Sequence, residues 1–488
     1  MLVTAWAFGT SSEMDAFHLA NGVILLFAGT MGSAMDNALL PELERLRKEE
    51  NGERGGRALA AFVAWCLVLA TVLFCAALVV APGVIIRFFA RSFDAERIRM
   101  GAIMLWWSIP FAAATMLKPL LDVWALFTER YTLSSLCGTL FNFVAIASLV
   151  LLIPAIGAYS VAGSISLGQM VVFLVFLAAL GGIPLRFKLS EIPVKSVLRV
   201  GRNLSFLLVA TASGTLFIIV DRYFASQLPV GSVAAISYAN TILGVVSLVA
   251  TTPLGFFMAK TARAALDDAD EARRMIEQTI WIMIGYFLPV TFFMAAAAEP
   301  IVSLIYGWGN FDAHSVGRTS VCLAAYCLGF VFSLSTYILL RYAQATQKVG
   351  RIVVLSYLLI AVNAFFDFVM IRFWGLMGLA LATSVTQVIG FALIYLSMMG
   401  GGLLRFLLDI KLPQQLAATA LCAVAIAASG RLGIYAQTFF AAITGVVYLL
   451  LAEKLGLLSG IPEHWRPLRL AFFLYEGTRS FFTREKGA

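Results

Sequence analysis

Apolar runs of about 20 residues, the length that crosses a bilayer core of about 30 Å, recur along the whole chain with short polar stretches between them. They fall at 16–40, 58–86, 100–127, 131–154, 158–184, 203–227, 232–259, 278–306, 318–341, 351–373, 376–399, 413–430 and 434–452. Runs this long and this continuous predict helices surrounded by lipid. The apolar stub from Met1 to Phe8 is too short to span and is expected to be the last part of a first, incomplete helix. It has neither the basic n-region nor the small-residue cleavage site of a secretory signal peptide.

Composition agrees with the pattern. With 61% hydrophobic residues, 13% charged residues and a mean hydropathy of +0.91, the chain is no water-soluble globule but an all-α polytopic membrane protein. Lysine and arginine accumulate on the cytoplasmic side of such proteins. If the stub starts inside, the cytoplasmic loops hold Arg45, Arg47, Lys48, Arg54 and Arg57, then Arg186, Lys188, Lys195, Arg199 and Arg202, then Lys260, Arg263, Arg273 and Arg274. The tail adds Arg466, Arg469, Arg479, Arg484 and Lys486. The opposite loops are nearly bare, apart from Arg87, Arg91, Arg97 and Arg99. Both termini are therefore expected in the cytoplasm. The net charge of +8 is mostly this topology signal and requires no nucleic-acid partner.

All six cysteines lie in the apolar runs without a CxxC pair, so buried reduced thiols are expected. The three histidines, His18, His314 and His464, are far apart, which argues against a zinc or haem site.

The chain repeats itself. "GAYSVAGSISLGQ" (157–169) and "GLMGLALATSVTQ" (375–387) align without a gap, and "FGTSSEMDAFHLANGV" corresponds more loosely to "FASQLPVGSVAAISYANTI". Two pseudo-symmetric six-helix lobes are expected, 1–187 and 188–402, followed by a helix pair in 403–459 and a basic tail, 460–488. Paired bundles of this kind place ligand sites near the midplane.

Four stretches, "AFGTSSEMDAFHLANGV", "VDRYFASQLPVGSVAAISYAN", "AEPIVSLIYGWGNFDAHS" and "YAQATQKVGRIVVLSYLLIAVNAFFDFVMIRFWGLMGLALATS", resemble the MurJ (MviN) lipid II flippases of the multidrug/oligosaccharidyl-lipid/polysaccharide exporter superfamily. The resemblance runs in order from about Leu2 to Leu396. It implies about fourteen helices in two lobes, with a final pair forming a hydrophobic groove.

A carboxylate on a membrane helix costs roughly 3 kcal/mol on insertion scales unless it has a partner or a watery cavity. Asp367 stands in such a run, with Asn363 four residues earlier on the same helical face. Thr383 lies on the next helix, and Asp221 ends the run at 203–227. With a backbone carbonyl near Leu379, these oxygens form a donor set suited to Na⁺. The resemblance implies the same, because the family binds sodium with residues of these types. The plainer alternative pairs a protonated Asp367 with Asn363, and Asp221 with Arg222.

The family also lines its cavity with arginines, which suit the diphosphate of a polyprenyl-linked sugar. This chain departs from that pattern: its second helix reads "GVILLFAGTMG", and Tyr238, Ala239, Asn240, Thr241 stand where the family has Tyr-Ala-Asp-Arg. It carries instead Lys118 and Asp122 within "MLKPLLDVW", either a self-neutralising pair or a relocated phosphate contact. Asp15 matches a family aspartate and is either a substrate contact or the N-cap of its helix. Asn21, Asn240 and Thr241 complete the candidate substrate contacts.

The resemblance thus implies a cation-coupled flippase, in the bacterial inner membrane, for a polyprenyl-diphosphate-linked saccharide. This is lipid II or a related envelope precursor, and the protein is expected as a monomer. The alternative is a cation-coupled exporter of small amphiphiles from the drug-efflux branch. An enzyme is not expected, since no phosphate-binding glycine loop or His-carboxylate cluster appears at a membrane interface.

Overall fold

The computed structural model describes residues 1–48, 52–181, 193–252, 268–346 and 348–454. Arg186, Lys188, Lys260, Arg263, the lobe boundary at 187/188 and the tail 460–488 lie outside these residues.

The architecture is all-α. Among the described residues nine helices are long and apolar enough to cross a membrane, and the pair Leu403–Asp409 and Leu412–Ala428, bent by 54°, makes a tenth. Several apolar runs are divided where hydropathy alone reads them as continuous. The run at 16–40 is a helix Ser12–Ile24, a π-helical turn Leu25–Gly29 and a helix Met31–Arg47. At the junction Thr30 turns its hydroxyl back onto the carbonyls of Leu26 and Phe27. The run at 58–86 stops at Val80, because Pro82 lacks an N–H and starts a separate helix, Pro82–Phe89. The run at 100–127 breaks at Ser108 into Ala95–Trp107 and Ile109–Phe127, and that at 278–306 breaks at Ala297 into Ala269–Ala296 and Ala298–Tyr306.

The structure forms two compact units, one comprising Met1–Ala234 with Gly309–Phe311 and the other Ala235–Trp308 with the described residues from Asp312 onward. In the first, Met35, Leu39 and Leu43 of Met31–Arg47 pack with Leu59 and Leu67 of Gly52–Val80 and with Leu120 of Ile109–Phe127. In the second, Phe293, Ile426, Tyr448 and Ala452 gather the last two helices against Ala269–Ala296. Lipid tails are as apolar as leucine, so helices in a membrane associate through close packing and interhelical hydrogen bonds. Gly329 meets the Ser384 backbone so closely that a Cβ there would overlap it, and Ser384 Oγ donates to the Ala325 carbonyl at 2.6 Å.

The repeat seen in the sequence extends to such details. Gly157 joins Tyr131–Ile156 to Tyr159–Leu180 with φ 55° and ψ −133°, and Gly375 makes the corresponding joint within Val349–Met399 with φ 53° and ψ −127°. This backbone conformation is reserved for glycine. Nine residues after each joint, Ser166 Oγ donates to the Trp107 carbonyl and Ser384 Oγ to that of Ala325, both at 2.6 Å. The two acceptors each lie thirteen residues beyond an aspartate in a Phe-Asp-Ala triplet, Phe93-Asp94-Ala95 and Phe311-Asp312-Ala313. Asp94 caps Ala95–Trp107 by accepting from the Arg97 N–H, and Asp312 caps Ala313–Ala345 by accepting from that of Ser315. Bonds from the Arg97 side chain to Asp94 and from the Ser315 backbone to Asp312 hold both carboxyls below the usual carboxylate range. The triplets are in the sequence, but the gapless repeat alone did not reveal them.

The six cysteines form no disulfide, and Cys137, Cys322 and Cys327 are buried as expected. Cys66 is instead exposed on the outside of its helix, and Cys75 and Cys422 are half-buried.

Candidate functional site

In the second unit, Asn363 Nδ2 donates to Asp367 Oδ2 at 2.9 Å one turn along the helix, and neither residue has exposed surface. The tight joint at Gly375 returns the chain beside them. Buried Thr383 and Leu379 stand on the returning helix, where Thr383 Oγ1 donates to the Leu379 carbonyl at 3.4 Å. Among the described residues no three His, Cys, Asp or Glu side chains converge as a metal cluster does. The donors here are a carboxylate, an amide, a hydroxyl and a carbonyl, all hard and with a single full charge, which fits a monovalent cation better than a transition metal. Asp221, the fifth candidate ligand, is buried in the first unit.

The first unit holds the other charged groups. Lys118 Nζ sits 2.6 Å from Asp122 Oδ2 and 2.9 Å from Oδ1, and Ser134 Oγ donates to Asp122 Oδ1 at 3.0 Å. The ammonium also lies 5.5 Å from the ring centroid of Phe176, a cation–π distance. The side chains keep 22% and 16% of their exposure, so the pair is recessed without being sealed.

Asp15 is placed by a different logic from a cap on its own helix. Ser11 caps Ser12–Ile24 by accepting from the Met14 N–H. Buried Asp15 accepts from the N–H groups of Gly231 at 2.6 Å and Ala234 at 2.8 Å, at the N-terminus of helix Ser232–Thr251. That is where a carboxylate meets unsatisfied donors and the positive end of a helix. Asn21 is half-buried, and its Oδ1 is sheltered without a hydrogen-bond donor. In the second unit Asn240 is exposed, while Thr241 Oγ1 donates to the Ser237 carbonyl at 2.9 Å. The candidate substrate contacts are thus divided between the units, and Lys118 and Asp15 each have their own partners.

Two groups escape a reading by sequence neighbourhood. Arg222 follows Asp221 directly, yet its guanidinium crosses to helix Ser12–Ile24 and donates from Nη1 to the His18 carbonyl at 2.7 Å. It fills the space beside Gly22, where a Cβ would collide with it. The second group is Glu42, beyond the apolar part of its helix. Arg199 Nη1 donates to both of its oxygens, at 2.8 and 2.9 Å, and Arg45 donates at 2.8 Å while also reaching Ser196. Burial would raise the Glu42 carboxyl, but hydrogen bonds from Arg45, Ser196 and Arg199 prevail and push it down to about 2. The partners are 157 positions apart in the chain, so no local pattern signals the contact.

A family model for the lipid II flippase MurJ matches residues 4–452. A probable lipid II flippase MurJ of Synechocystis sp. is 26% identical over 408 residues, covering 78% of this chain and 74% of that protein. Among solved structures, a lipid II flippase MurJ in an inward closed conformation superposes with a TM-score of 0.77 at 17% identity, over 93% of this chain and 95% of the other. An inward-facing multidrug resistance MATE family transporter of the MOP superfamily superposes with a TM-score of 0.64 at 14% identity, over 81% and 93%. At such identities the two superpositions speak for the fold.

Proposed function

This chain belongs to the lipid II flippase MurJ family, and from that premise we propose that it flips a polyprenyl-diphosphate-linked saccharide, lipid II or a related envelope precursor, across the bacterial inner membrane. The observation that carries the reading is the extent of the family match, which takes in both copies of the internal repeat and the last helix pair. In this reading transport runs from the cytoplasmic to the periplasmic leaflet by alternating access, with both termini in the cytoplasm and lobes of 1–187 and 188–402. Asn363, Asp367 and Thr383, with the Leu379 carbonyl, would hold Na⁺, and Asp221 remains a candidate ligand on sequence grounds. A bound cation would neutralise the buried carboxylate. Lys118, steadied by Asp122 and Ser134, is the proposed contact for the diphosphate.

One observation favours the competing reading, an exporter of small amphiphiles. The ammonium meant for a diphosphate is already matched by Asp122. Reconstituted vesicles separate the two. With fluorescent lipid II in one leaflet, the protein should move it to the other, faster with an inward-directed Na⁺ gradient. Vesicles that leave lipid II in place but expel a cationic amphiphile would overturn the flippase reading.

A further inference from the structure

Helix Gly52–Val80 has 29 residues, a length of about 43 Å at the α-helical rise and more than the hydrocarbon core of about 30 Å. Its Val80 end therefore stands at a membrane surface. The chain turns there into the short helix Pro82–Phe89, which packs on Ala95–Trp107. Pro82, Ile86 and Ala90 are buried at four-residue spacing, and Ile86 lies so close to Gly101 that a Cβ on that glycine would stand 3.2 Å away.

The opposite stripe, Val84, Arg87 and Phe88, follows the i, i+3, i+4 spacing of one helical face and is exposed throughout, Phe88 at 76%, and exposed Arg91 follows in the turn just after the helix. Trp106 of the partner helix is also exposed and donates to the Val79 carbonyl at 3.4 Å. Charge on this hairpin is unbalanced, with Arg87, Arg91, Arg97 and Arg99 against Asp94 and Glu96. Arg97 is accounted for, 2.8 Å from Asp94 and over the Phe93 ring at 4.6 Å. Among the described residues no carboxylate pairs with Arg87, Arg91 or Arg99. This is the basic cluster that stands out against otherwise bare loops.

An exposed stripe alternating apolar and guanidinium groups, at the depth where a span ends, matches an interfacial helix. The apolar side chains enter the acyl boundary and the arginines reach phosphate oxygens. We propose that the hairpin of Pro82–Phe89 and Ala95–Trp107 is a binding site for an anionic phospholipid, with Arg87 and Arg91 on the headgroup and Val84 and Phe88 against its chains. The proposal rests on the chain lying in a membrane and is independent of what it transports. A soluble phosphate would leave Val84 and Phe88 without a partner, so a lipid is the occupant.

The test uses the full chain in micelles containing equal phosphatidylglycerol and phosphatidylcholine, with retained lipid counted by native mass spectrometry. Comparing variants with wild type cancels lipid held at the other basic loops. Wild type should retain phosphatidylglycerol preferentially, and Arg87→Gln with Arg91→Gln should lower its apparent affinity about tenfold. Phe88→Ala should weaken retention of both lipids. Glu96→Gln, which removes a negative charge and threatens no buried contact, should strengthen phosphatidylglycerol retention. Millimolar inorganic phosphate should not displace the lipid. The site is rejected if the arginine variant keeps wild-type affinity, if Glu96→Gln gives no gain, if phosphatidylcholine is retained equally, or if inorganic phosphate displaces the lipid.

Discussion

Asn363 and Asp367, one helical turn apart, are joined by an amide-to-carboxylate hydrogen bond of 2.9 Å with both side chains fully buried. Removing the donor leaves the carboxylate short of a partner, so Asn363→Ala should destabilise the protein by about 1–3 kcal/mol. If the carboxylate also serves a cation, sodium chloride should raise the melting temperature above that in potassium chloride at equal ionic strength. Asp367→Asn should remove that difference. A wild type indifferent to the two salts would refute the cation site.

Lys118 and Asp122 make a second test, because a paired charge and a functional charge respond differently to joint removal. Asp122→Asn strands the ammonium and should cost about 1–3 kcal/mol, below the range for a fully buried pair because both groups keep some exposure. Replacing both residues with leucine should restore much of that stability. If Lys118 contacts a diphosphate, the double variant folds and fails to flip lipid II, whereas Lys118→Arg retains part of the activity. Full transport by the double variant would end the proposed role.

Arg222 and Gly22 should behave as one unit. A methyl group at Gly22 displaces the guanidinium from the His18 carbonyl, so Gly22→Ala and Arg222→Gln should each cost about 1–2 kcal/mol. Together they should cost little more than either alone. Full additivity in thermal denaturation would show that the arginine does not depend on that glycine.

Glu42 predicts a pH dependence. Its carboxyl titrates near 2 in the folded protein against an ordinary value of 4.5, so its stabilisation is complete above pH 4.5 and is lost as pH falls from there through about 2. Arg45 and Arg199 are partly solvated, which limits the contribution to about 1–2 kcal/mol. The melting temperature of Glu42→Gln should lie below wild type at pH 7 and converge with it towards pH 2–3. An equal gap at pH 3 and pH 7 would contradict the assignment.

What the sequence disclosed, and what it hid, follows from the range of each signal. Long apolar runs report lipid contact and so revealed the helices, but they do not register where a chain turns within apolar territory. The breaks at Ala81 and Ser108 therefore went unread, although Pro82 and Pro110 mark both. The Asn363–Asp367 contact was legible because helical spacing is local. The reach of Arg222 was hidden for the converse reason: the carbonyl that its Nη1 meets at 2.7 Å belongs to a residue 204 positions away. Glu42 and Arg199 read only as loop charges because their meeting is tertiary.

The glycine joints at Gly157 and Gly375 bear on how the protein is made. Each joins two long apolar helices with almost no intervening chain, so little polar backbone lies between the two to be held in water while they enter the bilayer. The same economy gives a protease no extended strand to grip at either joint.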